Sequence, residues 1–250
     1  MLHIDSPQNP RFKTWAGLLD GRGIRKAGRF LLAGLKTVPE ALSRWPGRFT
    51  ELLTDDPALI ADWPLPPGVH PVVLAKPLFR ELDVSGTRAP LLVGTVPDIP
   101  AADLAAPPRG LELVCALSDP SNLGALIRSA ASFGAARLIL LEEAANPFHP
   151  RATRAASNAV FALDLARGPR FADLGTPAGP VFALDAGGED LAGLDWPADL
   201  RLILGEEGQG VPPTLPVRRL TIPTTGTVES LNATVAASIA LYGWYAARGR

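Results

Sequence analysis

The chain alternates short apolar runs with amphipathic stretches. In its first third, the amphipathic spacing over residues 10–19 predicts a helix. The apolar run 30–33 predicts a strand, and 38–45 a helix. Further strands are predicted at 49–53, 69–74 and 91–93, with a short helix over 76–82. The last half carries longer apolar runs at 111–117, 137–141, 181–184 and 200–204, bounded by Gly, Asp and Pro. Unbroken apolar strands are buried on both faces, which predicts a parallel sheet with helices on each side. Helices are expected over 123–133 and, as an Ala-rich closing element, 231–247.

Between the two regions lie Pro97, Pro100, Pro107 and Pro108. Proline continues neither a helix nor a ladder, so 97–110 reads as a linker. The expected organisation is an α/β domain over 1–96, the linker 97–110, and a second α/β domain over 111–250.

Composition narrows the chemistry. The 250 residues hold one cysteine, Cys115, and three separated histidines, His3, His70 and His149. An internal disulfide is excluded and a metal cluster is not expected. No run approaches the roughly 18 apolar residues of a membrane span. An acid at Asp5 with no apolar run after it predicts no secretory leader, so the cytoplasm is the expected location. The formal net charge of −1 argues against a basic nucleic-acid footprint. Its distribution reverses that argument. Residues 1–36 carry seven basic side chains (Arg11, Lys13, Arg22, Arg25, Lys26, Arg29, Lys36) against Asp5 and Asp20, a local balance of +5. From charge alone this arm fits an RNA contact and a solvated surface equally well.

Ligands on parallel sheets collect at the carboxyl ends of strands, and three motifs stand there. The first, after the 111–117 run, holds Asn122, Gly124 and Arg128 in the pattern N-L-G-x-x-x-R-x-A. Asn122 can cap the following helix, and an arginine near a helix start grips phosphate. The second is L-G-x-E-G-x-G over 204–210, whose glycines let backbone touch a ligand closely. Its spacing is not that of the dinucleotide fingerprint, and Glu206 and Glu207 would repel a pyrophosphate, which removes a nucleotide-dependent oxidoreductase from consideration. The third is I-P-x-x-G-x-x-E-S-L-N-x-x-x-A-A over 222–237, with Ser230 as a helix cap and Asn232 in the first turn. Singly, each also reads as an ordinary turn or capped helix.

Together, the three motifs resemble the SpoU/TrmH family of RNA 2′-O-methyltransferases, in the SPOUT superfamily, over residues 111–248. The segments 6–13 and 29–36 are similar to that family's L30e-like substrate-binding domain, and 154–159 is a looser echo. The resemblance implies a deep trefoil knot and S-adenosylmethionine bound mainly on backbone groups of Leu184, Leu204, Gly205, Gly208, Ile222 and Leu231. It implies a homodimer through the C-terminal domain, with the active site completed across the interface. Arg128, Asn122, Glu207, Ser230 and Asn232 become the expected catalytic set, acting without a metal. Arg11, Lys13, Arg22, Arg25, Lys26 and Arg29 become the expected RNA contacts. The implied activity is methylation of a ribose 2′-hydroxyl in structured RNA, ribosomal RNA first and transfer RNA second. A non-catalytic RNA-binding protein on the same fold is the competing class. Four positions depart from the family pattern: Glu206 for a common Asn, Ala233-Thr234 for Val-Ser, and Asn158 for a frequent glycine.

Overall fold

A computed structural model of the chain describes residues 1–206, 208 and 210–248. The strands are β1 (Leu2–Ile4), β2 (Arg29–Leu32), β3 (Phe49–Thr54), β4 (His70–Leu74), β5 (Leu91–Thr95), β6 (Leu111–Cys115), β7 (Arg137–Leu140), β8 (Asp164–Arg167), β9 (Val181–Asp190), β10 (Leu200–Leu204) and β11 (Arg218–Thr221). The helices are α1 (Pro10–Gly17), α2 (Gly21–Ala27), α3 (Thr37–Arg44), α4 (Lys76–Leu82), α5 (Pro120–Ser132), α6 (Pro150–Ala156) and α7 (Ala233–Ala247). They form two compact units. One comprises Met1–Asp98 and Asn146–Asn158, the other Ile99–Ala145 and Ala159–Arg250.

The first unit is built on a mixed sheet in the order β1-β4-β3-β5-β2, with β1, β4 and β3 parallel and β5 antiparallel to its neighbours. Trp15, Phe30, Leu52 and Leu92 are fully buried in it. Residues 146–158 belong here, which departs from the expectation that 111–250 is one continuous domain. The reason is packing. Phe148 lies with its ring centroid 5.0 Å from that of Phe30, and Thr153 donates its hydroxyl to the Leu31 carbonyl at 3.4 Å. Asn158 closes the excursion. Its φ of 69° is the left-handed conformation that favours glycine and that asparagine tolerates. Its amide donates to the Thr37 carbonyl at 3.0 Å and to Glu40 Oε2 at 3.1 Å. The departure from glycine thus keeps the backbone geometry and adds two hydrogen bonds. Hydrogen bonds from Arg44 and then Asn158 hold the Glu40 carboxyl below its ordinary pKa.

The second unit is an all-parallel sheet in the order β11-β9-β10-β6-β7-β8. Leu113, Val114, Leu202 and Ile203 are fully buried, as continuous apolar strands require. The proline-rich stretch is not a free linker beyond Asp98. Pro100 and Ala102 exchange backbone hydrogen bonds with Arg167 at 2.8 Å, adding a short parallel bridge beside β8. Arg201 explains the rest. This arginine is 1% exposed and pairs with buried Glu112 at 2.9 Å. Its remaining donors reach the carbonyls of Asp103, Leu104, Ala106 and Ala178. A buried guanidinium is tolerable only when its donors are satisfied in this way, and here three of the four carbonyls come from the proline-rich stretch. No helix of the described residues is long and apolar enough to cross a membrane.

Candidate active site

Because β9, β10 and β11 run parallel and adjacent, the loops that leave them gather along one edge of the sheet. They enclose a cavity of about 770 Å³, a volume typical of small-molecule sites. Leu184 and Asp185 of β9, Leu204 and Gly205 at the end of β10, and Thr221 and Ile222 at the end of β11 line it. The loop after β10 is pinned as a tight ring. Glu206 and Gly210 exchange backbone hydrogen bonds at 3.2 and 2.9 Å. Gly205 sits so close that an added Cβ would stand 2.2 Å from the Gly210 carbonyl carbon, so no larger residue fits.

Two helices face the cavity from its other side, and their caps differ from expectation. Asp119, not Asn122, caps α5, accepting from Ser121 and Asn122 backbone N–H groups at 2.8 and 3.0 Å. Pro120 occupies the first helical position, which moves the cap one residue before it. Asn232, not Ser230, caps α7, accepting from Thr234 and Val235 at 2.9 and 3.2 Å. Asn122 is thereby released for contact between the helices. Its Oδ1 accepts from Asn232 Nδ2 at 3.3 Å, and its carbonyl accepts from the Thr234 hydroxyl at 3.0 Å. The Thr234 hydroxyl makes this contact at a position where the family resemblance leads to the expectation of serine, also a hydroxyl. Ser238 adds a 2.8 Å hydrogen bond to Ser129 one turn further on.

All six expected donor-site residues, Leu184, Leu204, Gly205, Gly208, Ile222 and Leu231, line the cavity, together with Asn122, Ser230 and Asn232. Arg128 does not line it. It is exposed on α5, six residues beyond Asn122 and so turned about 120° around the helix. Glu207 lies outside the described residues. Asp185 and Glu229 line the cavity without having been singled out as site residues. Asp185 was recoverable as the polar residue directly after an apolar strand run.

The cavity suits S-adenosylmethionine on three counts. Leu184, Ile222 and Leu231 offer apolar walls for a purine, Gly205, Gly208 and Gly210 present backbone polar groups, and the carboxylates of Asp185, Glu206 and Glu229 suit a cationic ligand.

The expected RNA-contacting residues sit in the first unit and fall into two groups. Lys13, Arg22, Arg25 and Lys26 are exposed on α1 and α2. Arg11 and Arg29 are committed to Glu51, which is 4% exposed: Arg11 forms an ion pair with it, Arg29 lies 2.5 Å away, and Trp15 donates to it at 3.0 Å. Burial pushes the Glu51 carboxyl up, but the hydrogen bonds from Arg11 and Trp15 and the charge of Arg29 outweigh it and hold the pKa below the ordinary value.

Residues 112–242 match the model of the SpoU rRNA Methylase family. The "Ribosomal RNA small subunit methyltransferase G 2" of Syntrophobacter fumaroxidans is 39% identical over 242 residues, 96% of this chain. The chain spans only 48% of that relative's length, and the relative's name describes the longer protein. The "23S rRNA (guanosine(2553)-2′-O)-methyltransferase RlmP" of Bacillus subtilis is 30% identical over 249 residues, covering 97% of this chain and 98% of the relative. The crystal structure of the SpoU methyltransferase AviRb from Streptomyces viridochromogenes, in complex with AdoMet, superposes with a TM-score of 0.77 at 25% identity, covering 96% of this chain and 98% of that one. With the family model matching more than half of the chain and the Bacillus relative matched nearly end to end, the chain belongs to the SpoU rRNA Methylase family.

Proposed function

We propose that this chain transfers the methyl group of S-adenosylmethionine to a ribose 2′-hydroxyl of ribosomal RNA. One observation carries the reading: the cavity at the β9, β10 and β11 strand ends has the Asn122–Asn232 pair on its wall. The relatives' 2′-O-methylation of 23S ribosomal RNA supports the acceptor class. The sulfonium supplies the electrophilic methyl group. The protein must hold the ribose hydroxyl in line with it and stabilise the negative charge that develops on oxygen. Asn122 and Asn232 present amide groups for the ribose, and Ser230 adds a hydroxyl. The proton leaves to solvent or to a neighbouring phosphate, because guanidinium stays protonated and cannot serve as the base. Glu207 is assigned to anchor and orient Arg128 or Asn122.

Arg128 is the missing charge in the one-chain cavity, and a second copy supplies it. Val235, Ile239 and Tyr242 lie exposed along one face of α7 at helical spacing. With Ala125 and Ser129 of α5 and Phe133 just after it, they line an open apolar groove. Such a face on the two site helices supports a homodimer through this unit, with Arg128 of one protomer gripping phosphate at the partner's cavity. The strand order, in which β11 lies beyond β9 and β10 before the chain returns to α7 against α5, supports a trefoil knot through the cavity loops. The first unit reads as the RNA-binding domain, and a ribosomal substrate places the work in the cytoplasm.

The test is Arg128→Ala. Methyl transfer to a verified ribosomal RNA fragment is expected to fall by about 10²-fold or more, with S-adenosylmethionine affinity and melting temperature retained. Wild-type activity in that variant overturns the assignment, and transfer to tRNA but not to ribosomal RNA reassigns the substrate.

A further inference from the structure

Arg219 in β11 occupies a position that no motif singles out. Its side chain is 22% exposed, and its fork makes three contacts with two other segments of the unit. Nη1 forms an ion pair with Asp185 of β9 and donates to the Val211 carbonyl at 3.2 Å, and Nη2 donates to the Pro212 carbonyl at 2.7 Å. Asp185 lines the cavity itself, Glu206 and Gly210 close the ring after β10, and β11 leads directly into Thr221 and Ile222. One guanidinium therefore ties together three walls of the same cavity.

We propose that the Arg219–Asp185 pair is a positioning strut that preorganises the donor cavity, so that donor affinity depends on two side chains of which Arg219 does not line it. The proposal rests on the reading that S-adenosylmethionine occupies this cavity. The physical argument is entropic. The ring after β10 contains Gly208 and Gly210 at φ of 89° and 69°, so its unconstrained backbone has many conformations to lose on binding. The Glu206–Gly210 bridge closes the ring on itself but does not attach it to a neighbouring strand. Val211 anchors the following residues in the core, and the two Arg219 bonds to the Val211 and Pro212 carbonyls add a polar tie to β11, the planar fork letting one residue reach a carboxylate and two carbonyls together. A loop already held in its bound shape costs less to order when ligand enters.

The test measures S-adenosylmethionine and S-adenosylhomocysteine binding to the full chain by calorimetry, for wild type, Arg219→Met, Arg219→Lys, Asp185→Asn and the Arg219→Met/Asp185→Asn double variant. Loss of the strut is expected to weaken both ligands in parallel, by about tenfold in Arg219→Met and less in Arg219→Lys, with the double variant no weaker than Arg219→Met alone. The donor KM should rise in step with Kd, while kcat at saturating donor moves less. A change in the ratio of the two affinities would instead mean that Arg219 acts by neutralising Asp185 beside the sulfonium, and overturns the strut. So do affinities within about twofold of wild type in both single variants. If Arg219→Met does not fold, Asp185→Asn and Arg219→Lys decide by the same criteria. Leu231→Trp, which fills the cavity, is the control: a Leu231→Trp variant that binds both ligands normally refutes the cavity reading, whatever the strut variants do.

Discussion

Glu51 shows how a single carboxylate can redirect a basic sequence. It is buried, and it accepts from Arg11, Arg29 and Trp15 at once. Two of the six arm residues expected on RNA are therefore holding α1 and β2 to β3. Sequence charge could not reveal this, because the partner lies 40 residues beyond Arg11 and reads as one more acid in a strand. Since the Glu51 pKa is lowered on folding, its contribution is present above the ordinary glutamate value of 4.5 and is lost as pH falls below it. Glu51→Gln should cost about 1–3 kcal/mol near neutral pH and show a flatter fall in melting temperature on acidification than wild type. Parallel melting curves across that range would refute the pairing. At the cavity the lining residues follow apolar runs and glycine-bearing turns, features that are visible in sequence. Which residue caps each helix is not. Pro120 moved one cap to Asp119, and Asn232 took the other, which left Asn122 for the contact with α7.

At the scale of elements, long apolar runs and the Ala-rich closing helix were readable, because burial on both faces leaves a strong pattern. The elements that escaped are short or weakly patterned. α2 begins Gly-Arg-Gly and is defined by the Asp20 cap and by Gly28 at its end. β8 is a four-residue edge strand with Asp164 and Arg167 at its ends. α6 spans only seven residues, starts at a proline, and packs where its sequence neighbours do not. α7 carries the element-scale prediction. Its exposed face of Val235, Ile239 and Tyr242 is apolar, while its buried face bears Ala237 and Ala240 against the unit's own core. Ile239→Glu is expected to shift the protein from dimer to monomer in sedimentation equilibrium. Methyl transfer should fall with it, and donor binding should be retained. A dimer of unchanged affinity would place the interface elsewhere.

For the whole molecule, the net charge of −1 is uninformative because opposite local balances cancel within it. The exposed group Lys13, Arg22, Arg25 and Lys26 remains as the charge proposed to face RNA once Arg11 and Arg29 are assigned to Glu51. Reversing those four to Glu should weaken RNA binding and reduce the steepness of its salt dependence, by close to one unit of log–log slope per lost phosphate contact. The same slope in wild type and variant would remove this face from the RNA path. The division into domains was only half legible. The boundary near residue 98 is marked by prolines, but the return of 146–158 to the first unit is carried by the packing of Phe148 on Phe30 and by the Asn158 amide, neither of which has a local signature.

That return has a consequence in time. The sheet of the first unit is complete once residue 95 has been made, but its last helix ends at residue 156, after two strands and a helix of the other unit. At synthesis rates of about 5–20 residues per second, the first unit waits roughly 3–12 s for its missing piece. Through that interval the Phe30 face has no Phe148 to cover it, so the nascent chain offers chaperones an aromatic surface that the finished protein hides.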